Sequence, residues 1–365
     1  MAPNEARERS GADVPGPRTE QELEEALSRP SAGVIETLAR LEGDILVLGA
    51  GGKMGLSLAS MAVRALRAAD GSADGGAATT PERSRRVIAV SRFHGGVQPF
   101  HDAGVETISL DLLDDGALEA LPDVGNILFL AGMKFGSSGA QPMTWAMNTH
   151  LPGLVARRFA GSRIVALSTG NVYPFTSVSG RGSAEDDAPD PVGEYAITCL
   201  GRERMFSYYS ERDATPIALI RLNYANALRY GVLVDIAQRI AAGEPVDVTM
   251  GAVNVIWQGD ANAAILQSFD LCSSPPAILN VAGPEVLRVR WVAEQLARLL
   301  AVGPPTFVGS EADTALLSDS SRMVQRFGPP VVDTERLLAW TADWLQSGGA
   351  LLGKPTGFQV RDGKF

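Results

Sequence analysis

Tyr195 and Cys199 stand four residues apart in GEYAITCLGRE, residues 193 to 203. Four residues make about one helical turn, so on a helix the two side chains point to the same side. An unassisted phenol titrates near about 10, and each pKa unit represents about 1.4 kcal/mol, so a tyrosine that moves protons near neutral pH needs a cation beside it. A thiol packs and hydrogen-bonds weakly but supplies no fixed positive charge. Thr169, in ALSTGNVYP, ends an aliphatic run and offers a second hydroxyl. A hydroxyl and a phenol meeting across a nicotinamide could hold a substrate oxygen and move its proton during hydride transfer. The cation could come from Lys134, in AGMKFG just past the end of another aliphatic run, where open parallel sheets place their ligands. Arg202 shares a helical face with Tyr195 but is expected to point along the sheet. Cys199 as a nucleophile is the alternative, although no neighbouring residue would make it a thiolate.

The elements that must position these groups begin at residue 44. DILVLGAGGKMGLSLASMAVRALRAA reads as a strand, a glycine turn and about four helical turns. Gly49, Gly52 and Gly55, with Lys53 and Met54 between them, would allow a tight turn, approach of a pyrophosphate and close helix packing. Further strand-like runs are RVIAVS, ETISL, NILFLAG, RIVALST, PIALIRL and AILNVAG. Their alternation with helical stretches predicts an α/β protein: a Rossmann-like, doubly wound parallel sheet with a smaller C-terminal substrate domain. The second run ends in Ser91 and Arg92 where an acidic residue would exclude a 2′-phosphate, which favours NADP, with NAD as the other candidate. Asp111 and Leu112 suit an adenine edge, and Ala131 and Gly132 are small enough to let a cofactor lie close. The expected divisions are residues 1–43 as leader and helical appendage, 44–223 as the dinucleotide-binding domain and 224–365 as mainly substrate-binding. Residues 253–285 are expected to return to the first domain. Thr19 and Glu22 have capping-box spacing before a short helix, and SAGVIETLARLEG reads as a second helix stopped by Gly43. The first twenty residues read as a disordered leader and residues 70–84 as a flexible surface insertion.

Composition narrows the function. With 365 residues, 45% hydrophobic, and a formal charge of -10 without a basic cluster, the chain has ample core and no footprint for nucleic acid. Two cysteines and three scattered histidines argue against a disulfide framework or a metal site and fit a reducing cytoplasm. No targeting or membrane-spanning segment is visible.

Over residues 44 to 285 the chain resembles the extended short-chain dehydrogenase/reductase superfamily, NAD-dependent epimerase/dehydratase type. The residues that carry the resemblance are Gly49, Gly52 and Gly55, the pair Asp111 and Leu112, Thr169 before NVYP, Tyr195, and Glu203. The family's Tyr-x-x-x-Lys lysine falls on Cys199. In the family that lysine holds the nicotinamide ribose and lowers the phenol pKa. The resemblance implies an NAD(P)-dependent oxidoreductase or epimerase acting on a sugar, sugar acid or nucleotide sugar, with Tyr195 as acid/base and a homodimer as the assembly considered. It also implies a role for Asn148 in ordering the active-site helix or a water, and matches Arg221 to an arginine after the sixth strand. The family's Asn-x-Tyr-Gly-Pro is altered here to Tyr224, Ala225, Asn226, Ala227 and Leu228, so the pocket, with Asn171 and Tyr224 at it, is expected to differ. Arg221 and Arg229 would suit a substrate carboxylate or phosphate, or equally a structural ion pair. Asp260 is expected to cap its helix. The alternative function is a cofactor-binding regulatory or scaffold protein whose catalytic site has decayed.

Overall fold

The computed structural model describes residues 15–71 and 85–364. The leader falls largely, and the expected insertion almost wholly, outside these residues. Seven strands form one parallel sheet: β1 (Ile45–Leu48), β2 (Val87–Ser91), β3 (Glu106–Ser109), β4 (Asn126–Phe129), β5 (Arg163–Thr169), β6 (Ile217–Leu222) and β7 (Ala277–Val281). Their order is β7-β6-β5-β4-β1-β2-β3. β1 and β4 are buried at every position because helices cover both faces, and their unbroken aliphatic runs satisfy that demand. β3 has no fully buried residue, as befits an edge strand. Leu48 pairs with Val90 on one side and Phe129 on the other, so the winding direction reverses between β1 and β4. The crevice at the carboxyl ends there is where this topology admits a ligand.

The helices follow from local signals. Thr19 and Glu22 form a reciprocal capping box at the start of α1 (Glu20–Leu27). Helix α2 (Ala32–Ala39) ends before Gly43, so that glycine, at φ 78°, makes the turn into β1 rather than the helix stop expected of it. Helix α3 (Gly55–Ala69) leaves the glycine turn, and its small residues Ala59, Ala62 and Ala65 are fully buried in the sheet's core. After α4 (Gln98–Asp102) and α5 (Gln141–Trp145), a π-helical turn at Ala146–His150 precedes α6 (Leu151–Arg158). Such turns are frequent at functional sites. Helix α7 (Gly193–Asp213) carries Tyr195 in its first turn and ends at Ala214, which adopts the left-handed conformation.

A second core lies in the C-terminal part, built from α8 (Val232–Ala241), α10 (Val289–Leu299) and α12 (Thr334–Gln346). Leu23 and Leu27 of α1 are fully buried in it, so the N-terminal helix is sewn into this half. Helix α9 (Gln258–Gln267) packs instead with the sheet's core through Ala261, Ala264 and Ile265, and α11 (Ser321–Phe327) adds Met323 to the same cluster. Asp260 does not cap α9 as expected, because it sits inside the first turn and accepts a hydrogen bond from Val332 N at 3.0 Å. Among the described residues no helix is long and apolar enough to cross a membrane.

Candidate active site

A cavity of about 370 Å³ opens at the carboxyl ends of the central strands. Its floor is the glycine turn. Gly49 has φ 84°, and a Cβ there would lie 2.5 Å from Ala131 N; at Gly55 a Cβ would lie 1.9 Å from Ala50 O. Only glycine fits either place. Gly52 faces the cavity, where an added Cβ would meet nothing nearer than Gly49 O at 3.5 Å. No side chain caps α3, and beyond Gly55 N, which donates to Gly52 O at 3.2 Å, its first turn can receive an anion. This cradle fits a dinucleotide pyrophosphate.

The reactive groups arrive from three other segments. Thr169 ends β5, with its hydroxyl 3.0 Å from Asn171 Oδ1 and in hydrogen-bond contact with the Tyr195 phenol. Lys134 follows β4 and donates from Nζ to the Thr356 carbonyl at 3.1 Å. That ammonium lies 5.8 Å from the centre of the Tyr195 ring. Gly193, at φ 83°, packs so tightly on Gly363 that a Cβ would sit 2.5 Å from its carbonyl oxygen; the C-terminal segment is therefore pressed against the start of α7. Asp235 on α8 anchors this segment by accepting from Thr356 N at 2.7 Å and Thr356 Oγ1 at 2.6 Å.

Burial sets the protonation states. It pushes the Tyr195 phenol upward, and Cys199 adds to the shift, against smaller opposing effects of Thr169 and Arg202. Burial lowers Lys134 to about 8, against the attraction of Cys199 and Asp235. Lys53 falls to about 7, through burial first, then repulsion by Lys134 and Lys354, with Asp235 opposing. Near neutral pH Tyr195 is thus protonated, with the Lys134 amine, lowered to about 8, beside it.

Of the residues singled out in the sequence, Tyr195, Thr169, Lys134, Asn171, Tyr224, Gly49, Gly52, Lys53, Met54, Gly55 and Gly132 line this cavity. The others are placed elsewhere. Cys199 is 1% exposed and packs behind the phenol with Val172 and Tyr173; burial raises its thiol pKa, so it is no thiolate. Arg221 is no substrate ligand: it donates to Glu203 at 3.0 and 2.7 Å and to the Tyr173 hydroxyl at 2.7 Å, inside the protein. Arg229 pairs with Glu24 of α1. Asn148 is fully buried and grips the peptide before Lys134, accepting from Met133 N at 2.8 Å and donating to Met133 O at 2.9 Å. Arg202 runs along the sheet end to Leu167 O and Asn148 Oδ1. Leu112 and Ala131 are core residues, the latter behind Gly49. Asp111 accepts from Leu113 N at 3.0 Å and from Arg92 at 3.3 Å, outside this cavity. Ser91 lies close under the turn, its Oγ 2.5 Å from where a Cβ on Gly51 would stand. The residues missed in the sequence are Phe135, Asn223, Tyr230, Gln258 and Thr356, which line the cavity, and Asp235, which anchors its edge. The tyrosine-rich segment after β6 was the one available signal, for Tyr230.

No family model matches the chain, and no curated protein matches it. Solved structures do. MoeE5, in complex with UDP-glucose and NAD, is 21% identical over 84% of this chain and 99% of its own, with a TM-score of 0.65. UDP-glucuronic acid 4-epimerase from Bacillus cereus, in complex with NAD, is 16% identical over 83% and 98%, at 0.65. UDP-glucose 4-epimerase from Thermotoga maritima, with UDP-glucose, is 15% identical over 84% and 99%, at 0.67. The chain therefore shares the fold of these proteins: a Rossmann-like sheet with a C-terminal part. The chain spans nearly the whole length of each of these proteins.

Proposed function

We propose that the protein is an NAD(P)-dependent oxidoreductase or epimerase of nucleotide sugars, with Tyr195 as the group that exchanges the proton. The observation that carries this reading is the convergence of the Tyr195 phenol, the Thr169 hydroxyl and the Lys134 ammonium at one cavity floored by the glycine turn. The solved proteins of the same fold carry NAD and nucleotide sugars in their complexes. A nicotinamide bound over the turn would supply hydride transfer. Thr169 and Tyr195 hold the substrate oxygen between them, and the phenol gives up or recovers the proton as the carbon–oxygen bond changes order. Lys134 stands in for the cation missing from position 199, favouring the ionised phenol when the proton has left.

We read NAD as the cofactor and NADP as the secondary one. Arg92 is paired with Asp111, so a 2′-phosphate would have to displace a carboxylate from it. Calorimetric titration with both cofactors tests the cofactor reading. Gly52→Trp is expected to abolish binding with the circular dichroism spectrum unchanged; unaltered affinity would reject the site. The regulatory reading returns if dinucleotide binds tightly and Tyr195→Phe changes no turnover with any nucleotide sugar.

A further inference from the structure

Residues 352–364 form no helix or strand, yet they meet the active site at two of its reactive segments. The path starts at the loop before α8, where Leu352 N donates to Arg229 O at 3.0 Å. Thr356 then stands between two partners. Its carbonyl accepts from Lys134 Nζ at 3.1 Å, while its amide and hydroxyl both donate to Asp235 Oδ2, at 2.7 and 2.6 Å. Farther on, Arg361 donates to Thr314 O and Thr314 Oγ1, each at 2.7 Å, with its guanidinium 4.2 Å from the centre of the Phe175 ring. Gly363 finishes against Gly193, two residues before Tyr195, where a Cβ on either glycine would collide with the backbone of the other segment. One irregular segment therefore ties α8 to the two places that carry Lys134 and Tyr195.

What holds this segment is mostly polar. Phe358 is the one large apolar side chain that it gives to the second core. A stretch with few buried apolar contacts and no ladder of backbone bonds opens locally at far lower cost than the fold as a whole. Asp235, by contrast, sits on α8, whose Val232, Leu233 and Ile236 are buried in that core, so its carboxylate is a fixed point. Hydrogen bonds to a carboxylate are stronger than those between neutral groups, and Asp235 accepts two. We propose that residues 352–364 are a strap that seats Lys134 beside Tyr195, with Asp235 as its latch. Asp235 and Thr356 are then positioning residues, acting through Lys134. Their part in turnover rests on the reading of Lys134 as the cation, whereas the strap itself does not.

Substitutions at the latch separate holding from charge. Asp235→Ala removes the acceptor, and Asp235→Asn keeps an oxygen for both Thr356 donors but loses the charge. Thr356→Pro removes both donors and leaves Asp235 its charge. The full chain is studied without ligand, by hydrogen exchange and by acetylation of Lys134 as a function of pH, both followed by mass spectrometry. In the wild type burial lowers Lys134 to about 8, against the attraction of Cys199 and Asp235, with Lys53 as its cationic neighbour. A released strap relieves that burial, so in Asp235→Ala and Thr356→Pro the midpoint should rise towards the ordinary lysine value near about 10.4. Exchange over residues 352–364 should quicken about tenfold in both. In Asp235→Asn the strap should stay protected and the midpoint should fall slightly, because only an attraction is lost. A midpoint that falls in Asp235→Ala as well would mean that Asp235 acts by charge alone, and unchanged exchange would mean that it latches nothing; either overturns the strap. With a nucleotide sugar that the wild type turns over, Asp235→Ala should lower kcat about tenfold with the Kd for NAD within about twofold, and Asp235→Asn should recover most of the loss. Faster turnover in Asp235→Ala would make the segment a plug and overturn its positioning role. If the wild type turns over no nucleotide sugar, the proposed function fails, while exchange and the Lys134 midpoint still decide the strap.

Discussion

Two places in the molecule withdraw basic side chains from water, and they are compensated in opposite ways. Arg221, behind the sheet end, is 3% exposed and meets Glu203 through two hydrogen bonds, with the Tyr173 hydroxyl on its third edge. Lys53 and Lys134, at the cavity, have aromatic rings, a carbonyl and a carboxylate already engaged by Thr356. The first arrangement is closed: burial lowers the guanidinium's pKa, but Glu203 more than restores it. At the second, burial drives both lysine pKa values down, and the attraction of Asp235, joined at Lys134 by Cys199, offsets only part of the shift. A buried cation that a hydrogen-bonded carboxylate holds charged is architecture, whereas one whose pKa stays depressed at a cavity is a candidate for chemistry.

The most damaging way to test the contrast is to open the closed site. Glu203→Ala leaves the Arg221 guanidinium buried without its counter-charge and should lower unfolding stability by roughly 3–5 kcal/mol, read as the urea midpoint. An unchanged midpoint would mean that Arg221 is not held structurally, and the division between the two sites would collapse.

The converse is a change at the open site. Lys134→Met removes an ammonium whose burial lowers its pKa to about 8, so its urea midpoint should hold or rise. Turnover should fall about 100-fold, the lower end of what a proton-transfer assembly supplies. A large loss of stability with intact turnover would make Lys134 a second Arg221.

The contrast also explains what could be seen in the sequence and what could not. The sheet was legible because each buried strand must be aliphatic on both faces and each ends in small or hydroxyl residues, as in ILVLGAGG and RIVALST. The glycine turn, Thr169 and Tyr195 were legible by their place in that frame, and the cavity brings them together. The fate of each arginine was not. Arg221 and Arg229 were equally suited to a ligand or a pair, and what decides is Glu203 and Glu24, brought to them by folding. Thr356 was equally hidden, since it meets Lys134 across 222 residues of sequence. Spacing reports partners within a helix or strand; it carries no information about a carbonyl that arrives from the far end of the chain.

A smaller effect should appear with pH. Lys53 has its folded pKa depressed to about 7, below the unfolded lysine value near about 10.4, so between these limits the unfolded chain binds more protons. The cost of folding with Lys53 is therefore fully present below pH 7 and fades as pH rises towards 10. Burial sets it first, then repulsion by Lys134 and Lys354, with Asp235 opposing. Lys53→Met should gain stability over wild type at pH 6.5, on the order of 1 kcal/mol after allowance for solvent screening, and the gain should shrink by pH 9.5. A gain independent of pH would attribute the change to packing alone.

The smallest expected effect concerns the residue that occupies the missing cation's place. Cys199 is enclosed by Val172 and Tyr173, and its sulfur lies in hydrogen-bond contact with the Tyr195 phenol. Burial keeps the thiol protonated, so it can neither attack a substrate nor lend the phenol charge. Serine is nearly the same size and can take over the single hydrogen bond, so Cys199→Ser should keep turnover within about threefold and stability within about 1 kcal/mol of wild type. Iodoacetamide should label the folded wild-type protein at this position far more slowly than the urea-unfolded one at pH 8. These two measurements separate packing from reactivity, because a filler tolerates serine and resists alkylation. A dead serine variant with rapid alkylation would make the thiol a reagent, and the cation at Lys134 would then be unnecessary. The opposite pattern leaves position 199 as the place where the helix gave up its charge, with the cavity's lysines carrying it instead.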